Sequence, residues 1–307
     1  MMDRFKAGML TVLLVVATPI QAADFQLYFL GGQSNMEGYG HVTELSGAWH
    51  GNVERVWIFQ GNQGMDGQEG GGEGVWSPLQ PGHGTGFKSD GRTNALSDRF
   101  GPELPFGKRI AELNGESRIA LVKYARGGTS LMEGASGYGN WEPDSQLAGG
   151  MNQYDHALAT LRNALAVRDI DGDGEPDTLV PAGIVWMQGE ADAYDNPVAA
   201  RAYRENLKRM MDLLRAALRT DDLPVVIGRI TDSGADEDGL LMDYSPVVQR
   251  AQAAYAAEDR CAALVDVSEG MGWTDDWHYD TKTYLRLGQA FADAMHRLQK
   301  NCPAGGE

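Results

Sequence analysis

Residues 25–36 read FQLYFLGGQSNM. Phe25 to Leu30 is a short apolar run of the length and character of a β-strand. It runs straight into Gly31 and Gly32, which let the backbone turn sharply and leave the hydroxyl of Ser34 uncrowded. A serine just past the carboxyl end of a first strand sits where open α/β sheets bind their ligands.

Working outward, similar runs recur at Val53 to Phe59, Arg118 to Tyr124, Ala182 to Met187, Leu223 to Ile230 and Ala262 to Val267. Between them the apolar period changes to 3.6. Met151, Tyr154, Leu158, Leu161 and Leu165 share one predicted helix face, and Tyr203, Leu207, Met210, Leu214 and Leu218 share another. Asn196 followed by Pro197 caps the start of the second. A last helix, Thr281 to Gln299, turns Tyr284, Leu287, Phe291, Met295 and Leu298 inward. Strands alternating with helices predict a three-layer α/β/α domain with a central parallel sheet of five or six strands. Gly61 to Arg92 holds eleven glycines and few aliphatics, so it reads as a long surface loop ahead of a helix starting near Pro102.

Arg4 and Lys6, an apolar stretch from Ala7 to Ala17, and the small pair Ala22 and Ala23 form the pattern of a secretory signal peptide over residues 1–23. The apolar stretch is short for a membrane span, which needs roughly 20 residues. The expected mature chain, 24–307, is therefore one secreted or periplasmic domain without a membrane span. Formal net charge is −17, or −18 without the first 23 residues, which argues against nucleic acid as a partner and suits a neutral or acetylated substrate. In an oxidising compartment Cys261 and Cys302 are expected to form a structural disulfide.

An acyl-transfer serine needs an imidazole to take its proton and a carboxylate to fix the imidazole tautomer. The stretch Thr274-Asp275-Asp276-Trp277-His278 lies between the last strand and the last helix and offers both. Asp275, three residues before His278, is the first choice and Asp276 the second. His156 and His296 read as solvated helix residues; His41, His50 and His83 lie in loops without a carboxylate at useful spacing. Two further segments end strands. Gly127-Gly128-Thr129 offers backbone N–H groups to an oxyanion. Trp186 to Asp192 brings the Gln188 amide or the Glu190 carboxylate to the same rim.

Together these blocks resemble the sialate O-acetylesterase and acetylxylan esterase group, carbohydrate esterase family six, of the SGNH hydrolases. The resemblance rests on Gly32-Gln33-Ser34-Asn35-Met36, Gly101-Pro102-Glu103 with Phe106-Gly107, Gly127-Gly128-Thr129, Trp186-x-Gln188-Gly189-Glu190-x-Asp192 and Asp275-x-x-His278. It implies a flavodoxin-like SGNH fold and removal of acetyl groups from a carbohydrate, with no catalytic cofactor. It makes Ser34 the nucleophile, His278 the base and Asp275 its orienter. The N–H groups of Ser34 and Gly128 become oxyanion donors, Gln188 a side-chain donor, and Gln33 and Glu190 further substrate-binding groups. The superfamily's third-block Asn is absent, and Gln188 stands in its place.

Asp169-x-Asp171-x-Asp173-Gly174-x-x-Asp177 separately has the oxygen spacing of a calcium loop, although position twelve is Val180 rather than a bidentate Glu. A structural Ca²⁺ at these four aspartates is the expectation, an acidic solvated turn its alternative. The rival functions are an SGNH lipase or thioesterase, which would need an apolar acyl groove, and an inert calcium-stabilised carbohydrate-binding protein. Trp76, Trp141 and Trp277 are the candidate rings for stacking on a sugar.

Overall fold

A computed structural model of the protein describes residues 24–302; the expected signal segment lies outside the described residues. Six strands run parallel: β1 (Asp24–Gly32), β2 (Val56–Gln60), β3 (Arg118–Ala125), β4 (Thr178–Met187), β5 (Val225–Gly228) and β6 (Ala262–Val265). Their order across the sheet is β2-β3-β1-β4-β5-β6. Ser77–Pro78 pairs antiparallel with β2 and makes the sheet seven-stranded and mixed. β1 is central, paired with β3 on one side and β4 on the other. Phe25 and Leu27 to Leu30 are fully buried, which is why this strand reads as a nearly unbroken apolar run.

Five helices cover the two faces: α1 (Glu103–Leu113), α2 (Gln153–Ala166), α3 (Pro197–Ala217), α4 (Ser245–Glu258) and α5 (Thr281–Gln299). On one face the Tyr28 and Phe106 rings meet at 5.3 Å, and α5 lies against α1. Gly288 permits that approach, since a Cβ there would stand 2.4 Å from the Pro102 carbonyl oxygen. On the other face Tyr124 of β3 donates to Gln153 of α2, while α3 packs on α4. Asn196 caps α3 by accepting from the N–H of Val198 and of Ala199. Cys261, just before β6, and Cys302, just after α5, are disulfide-bonded, with Cα atoms 5.6 Å apart.

Several expectations are corrected. The buried face of α2 is Gln153, His156, Ala157, Thr160, Leu161 and Ala164, while Leu165 is exposed. The cause is the glycine-rich segment 61–92, which lies over α2. A Cβ on Gly64 or Gly71 would come within 2.4 Å of the His156 ring, and one on Gly61 within 2.1 Å of Thr160. His156 is therefore a buried residue bonded to the Met65 carbonyl, not a solvated one. Trp76 and Trp141 are likewise core residues: Trp76 packs on Phe59 and donates to Ala164, and Trp141 packs against Tyr124 and Trp186.

Candidate active site

The carboxyl ends of β1, β3 and β4 open onto one cleft of about 750 Å³, lined by Gln33, Ser34, Gly127, Gly128, Glu190 and His278 among others. Ser34 opens a single helical turn, Ser34–Glu37, immediately after β1. Gly32 makes the turn possible: its φ is +147°, and a Cβ would collide with the Met187 carbonyl oxygen at 1.9 Å.

His278 reaches the cleft from the loop between β6 and α5. Its Nδ1 lies 2.8 Å from Asp275 Oδ2, and Asp275 Oδ1 accepts the N–H of Trp277 and of His278, both at 2.8 Å. Partial burial works to raise the Asp275 pKa, but these hydrogen bonds outweigh it and hold the carboxyl below its ordinary value. A carboxylate on Nδ1 selects the tautomer with Nε2 as acceptor. The Tyr39 ring lies flat on the imidazole, with centroids 3.6 Å apart and an interplanar angle of 3°. No direct hydrogen bond joins Ser34 and His278, a contact that often tightens only with substrate bound.

The wall opposite is the turn after β3. Gly127 donates its N–H to Glu37 Oε2 at 3.0 Å, and a Cβ added at Gly127 would lie 3.4 Å from Ser34 Cβ. Gly128 has φ +73° and sits under the Tyr138 ring. The N–H groups of Ser34 and Gly128 take no acceptor among the described residues. A buried pair supports this wall from below. Lys123 Nζ lies 2.7 Å from Glu103 Oε2 and donates to the Glu37 carbonyl at 2.8 Å and the His83 carbonyl at 2.6 Å. Burial drives the Lys123 pKa down, and Glu103 opposes that.

The Trp186 to Asp192 segment departs from expectation. Gln188 does not line the cleft: its amide nitrogen donates to the Thr129 carbonyl at 3.0 Å and Asp192 Oδ2 at 2.6 Å, and its oxygen accepts from Tyr203. Both amide hydrogens are occupied, so none remains for an oxyanion. Asp192 accepts the N–H of Leu131 and Met132 and fixes the loop beyond Gly128; its burial pushes its pKa up to about 6. Gln33 lines the cleft, yet its Oε1 accepts from the N–H of Gly189 and Ala191 and so braces the rim. Glu190 lines the cleft with Oε1 bonded to Asn35, and burial raises its pKa.

Two rim aromatics escaped the sequence reading. Tyr138 and Tyr194 are 69% and 47% exposed and line the cleft with Trp277, which is 36% exposed. Exposed rings look like core residues in a sequence, and only the loops' positions reveal them. Away from the cleft, carboxylate oxygens of Asp169, Asp171 and Asp177 gather within 4.8 Å of one another. Asp173 is outside this group and accepts the Glu175 N–H. Arg118 pairs with Asp171.

The model of a family described as carbohydrate esterase, sialic acid-specific acetylesterase, matches residues 24–297. A search of curated proteins finds no relative of this sequence. Among solved structures, a protein from Arabidopsis thaliana is similar at TM-score 0.61 and 20% identity, over 88% of this chain and 97% of that one. A carbohydrate acetylesterase from Xanthomonas citri is similar at TM-score 0.63 and 17% identity, over 90% and 57%. The structure of NanS gives TM-score 0.60 and 14% identity, over 92% and 100%. At these identities the structural likeness speaks for the fold, and it agrees with the mostly parallel sheet flanked by helices.

Proposed function

The chain belongs to the sialic acid-specific acetylesterase family of carbohydrate esterases, and from that premise we propose that it hydrolyses acetyl esters on a sugar or polysaccharide through Ser34, His278 and Asp275. The observation that carries the reading is the hydrogen-bonded Asp275–His278 pair opening onto the same cleft as Ser34. His278 Nε2 takes the Ser34 proton as Oγ attacks the acetyl carbonyl. The N–H groups of Ser34 and Gly128 receive the oxyanion, the sugar oxygen leaves with the proton from His278, and an acetyl-enzyme remains. Water, deprotonated by His278, then releases acetate. Gln188 and Gln33 act in this scheme by bracing the rim, not by touching the oxyanion.

The rim favours a sugar over a long acyl chain. Tyr138, Tyr194 and Trp277 offer flat faces to a pyranose ring, while Glu37, Arg126, Glu190 and Asp195 bring charged groups that a sugar's hydroxyls can bond. Residues 24–302 serve as one catalytic domain, and we assign its work to the outside of the cytoplasm, in keeping with the disulfide. No described helix is long and apolar enough to cross a membrane. Asp169, Asp171 and Asp177 are the residues that would hold a calcium ion; hard carboxylate oxygens suit it, and the role would be structural. The Arg118 pairing with Asp171 opposes it by supplying a positive charge already.

The test is hydrolysis of 4-nitrophenyl esters of increasing acyl length, with Ser34→Ala and His278→Ala as controls. Acetate should be cleaved at least about ten times faster than butyrate, since each rejected methylene is worth roughly 1 to 3 kcal/mol. Each single variant should lose about 10³ or more in kcat, and the double variant little beyond that. A rate that climbs from acetate to octanoate would replace this reading with that of a lipase.

A further inference from the structure

Asn35 follows Ser34 in the sequence, and it is buried at 1% exposure. A carboxamide has two N–H donors and an oxygen with two lone pairs. All four positions are filled. Nδ2 donates to Glu190 Oε1 at 2.8 Å and to the Trp277 carbonyl at 3.2 Å. Oδ1 accepts from the Tyr284 hydroxyl at 2.8 Å and from the Tyr279 N–H at 3.4 Å. Trp277 and Tyr279 are the residues on either side of His278. One side chain therefore grips the imidazole-bearing peptide at both flanks, while its own backbone shares a helical turn with Ser34. That turn is fixed in place by the Gly38 N–H on the Ser34 carbonyl at 2.8 Å and the Gln33 N–H on Met187 at 3.0 Å.

The partners are separated from Asn35 by 155 to 249 positions in the chain. Three segments that converge only in the fold meet at this amide: the nucleophile turn, the rim after β4, and the loop that carries His278. The Tyr284 hydroxyl, from the first turns of α5, fixes the amide in its turn. A buried amide with every bond made is rigid, because rotating it would leave several polar groups unpaired at once. It has no reach to substrate of its own, since Asn35 does not line the cleft.

We infer that Asn35 is the positioning residue that sets the approach of His278 to Ser34, acting on catalysis only through the imidazole. The inference rests on the reading of Ser34 and His278 as nucleophile and base. Misplacing a reacting group by about 1 Å costs on the order of 100-fold in rate. Asn35→Leu removes all four bonds at similar volume, and Tyr284→Phe removes one bond while keeping its ring.

The experiment is a double-mutant cycle on 4-nitrophenyl acetate hydrolysis: wild type, Asn35→Leu, His278→Ala and the double variant, with the same cycle for Tyr284→Phe. Asn35→Leu should lower kcat about 100-fold with KM within about threefold, and in the His278→Ala background the further loss should be under about threefold. Tyr284→Phe should follow the same pattern at about fivefold, and it decides the matter alone if Asn35→Leu does not fold. Equal losses in both backgrounds, or variants with wild-type kcat, overturn the inference and leave the triad reading intact. If His278→Ala itself keeps kcat within tenfold of wild type, the triad reading fails and the inference falls with it.

Discussion

Lys123→Met tests the support beneath the wall proposed to hold the oxyanion. The Lys123 and Glu103 side chains are 1% and 0% exposed, so neither charge has water to fall back on. Met fills most of the volume, but it removes the cation and three hydrogen bonds, leaving Glu103 facing a thioether and the Glu37 and His83 carbonyls without their donor. Glu103 keeps one partner, the Gly101 N–H on Oε1 at 2.9 Å. Breaking a buried pair from one side costs about 3 to 5 kcal/mol, and for a chain of this size that corresponds to roughly 6 to 10 °C in Tm. Adding Glu103→Gln removes the orphaned charge and should return at least half of the loss. Thermal unfolding followed by circular dichroism measures both numbers. Because Lys123 also fixes the Glu37 carbonyl, and Glu37 holds the Gly127 N–H, kcat should fall in the folded single variant. A Tm within 2 °C of wild type, as order-of-magnitude agreement requires, would show that the pair adds nothing and refute the reasoning.

Reducing the Cys261–Cys302 bridge, or replacing both residues by Ala, should cost about 4 kcal/mol in the loop-entropy model for a separation of 41 residues, read by urea unfolding. If calcium occupies the aspartate loop, chelation should lower Tm while leaving the rate of the folded enzyme nearly unchanged, and a Tm indifferent to added calcium reduces the loop to an acidic turn. Asp275→Asn keeps an oxygen for the Trp277 and His278 N–H groups but turns an amide toward Nδ1, so the wrong tautomer should cost about 10³ to 10⁴ in kcat. The lowered Asp275 pKa means its charge is in place above the ordinary carboxylate value and is lost only as pH falls through its lower native value, so that deficit should persist across neutral pH. A deficit confined to acid would count against Asp275 as the orienter.

All six parallel strands were legible, because a strand covered on both faces must be apolar almost throughout. The edge pair Ser77–Pro78 was not, being two residues long and held by its neighbour. Helix α4 passed unnoticed: Ala-rich and polar, it buries only Ser245, Val248, Gln252 and Tyr255, too faint a stripe to read. Ser34, Asp275 and His278 were chosen because an acyl-transfer triad dictates residue type and because the blocks resemble a known family, and the fold brings Ser34 and the Asp275–His278 pair to one cleft. Gln188 misled because a motif position gives no side-chain direction; its amide faces Thr129 and Asp192. Asn35 was quoted within its block yet carried no role, since its partners come from the far end of the chain. His156 and Trp76 were misjudged for one reason, the close seating of the glycine-rich segment, which helical periodicity cannot report.

That seating separates two kinds of glycine for anyone wishing to reshape the enzyme. Gly61, Gly64, Gly71 and Gly74 mark contact points where a methyl group would strike Thr160, His156 or the Gln60 carbonyl, so this stretch, for all its resemblance to a linker, is a poor place for random mutagenesis or tag insertion. Gly137 is the reverse. It lines the cleft beside Tyr138, has nothing within 4 Å of where its Cβ would stand, and has no positive φ to forbid a side chain. A screening library that varies Gly137 and leaves the segment at 61–74 alone would explore which acetylated sugars fit, at little risk to folding.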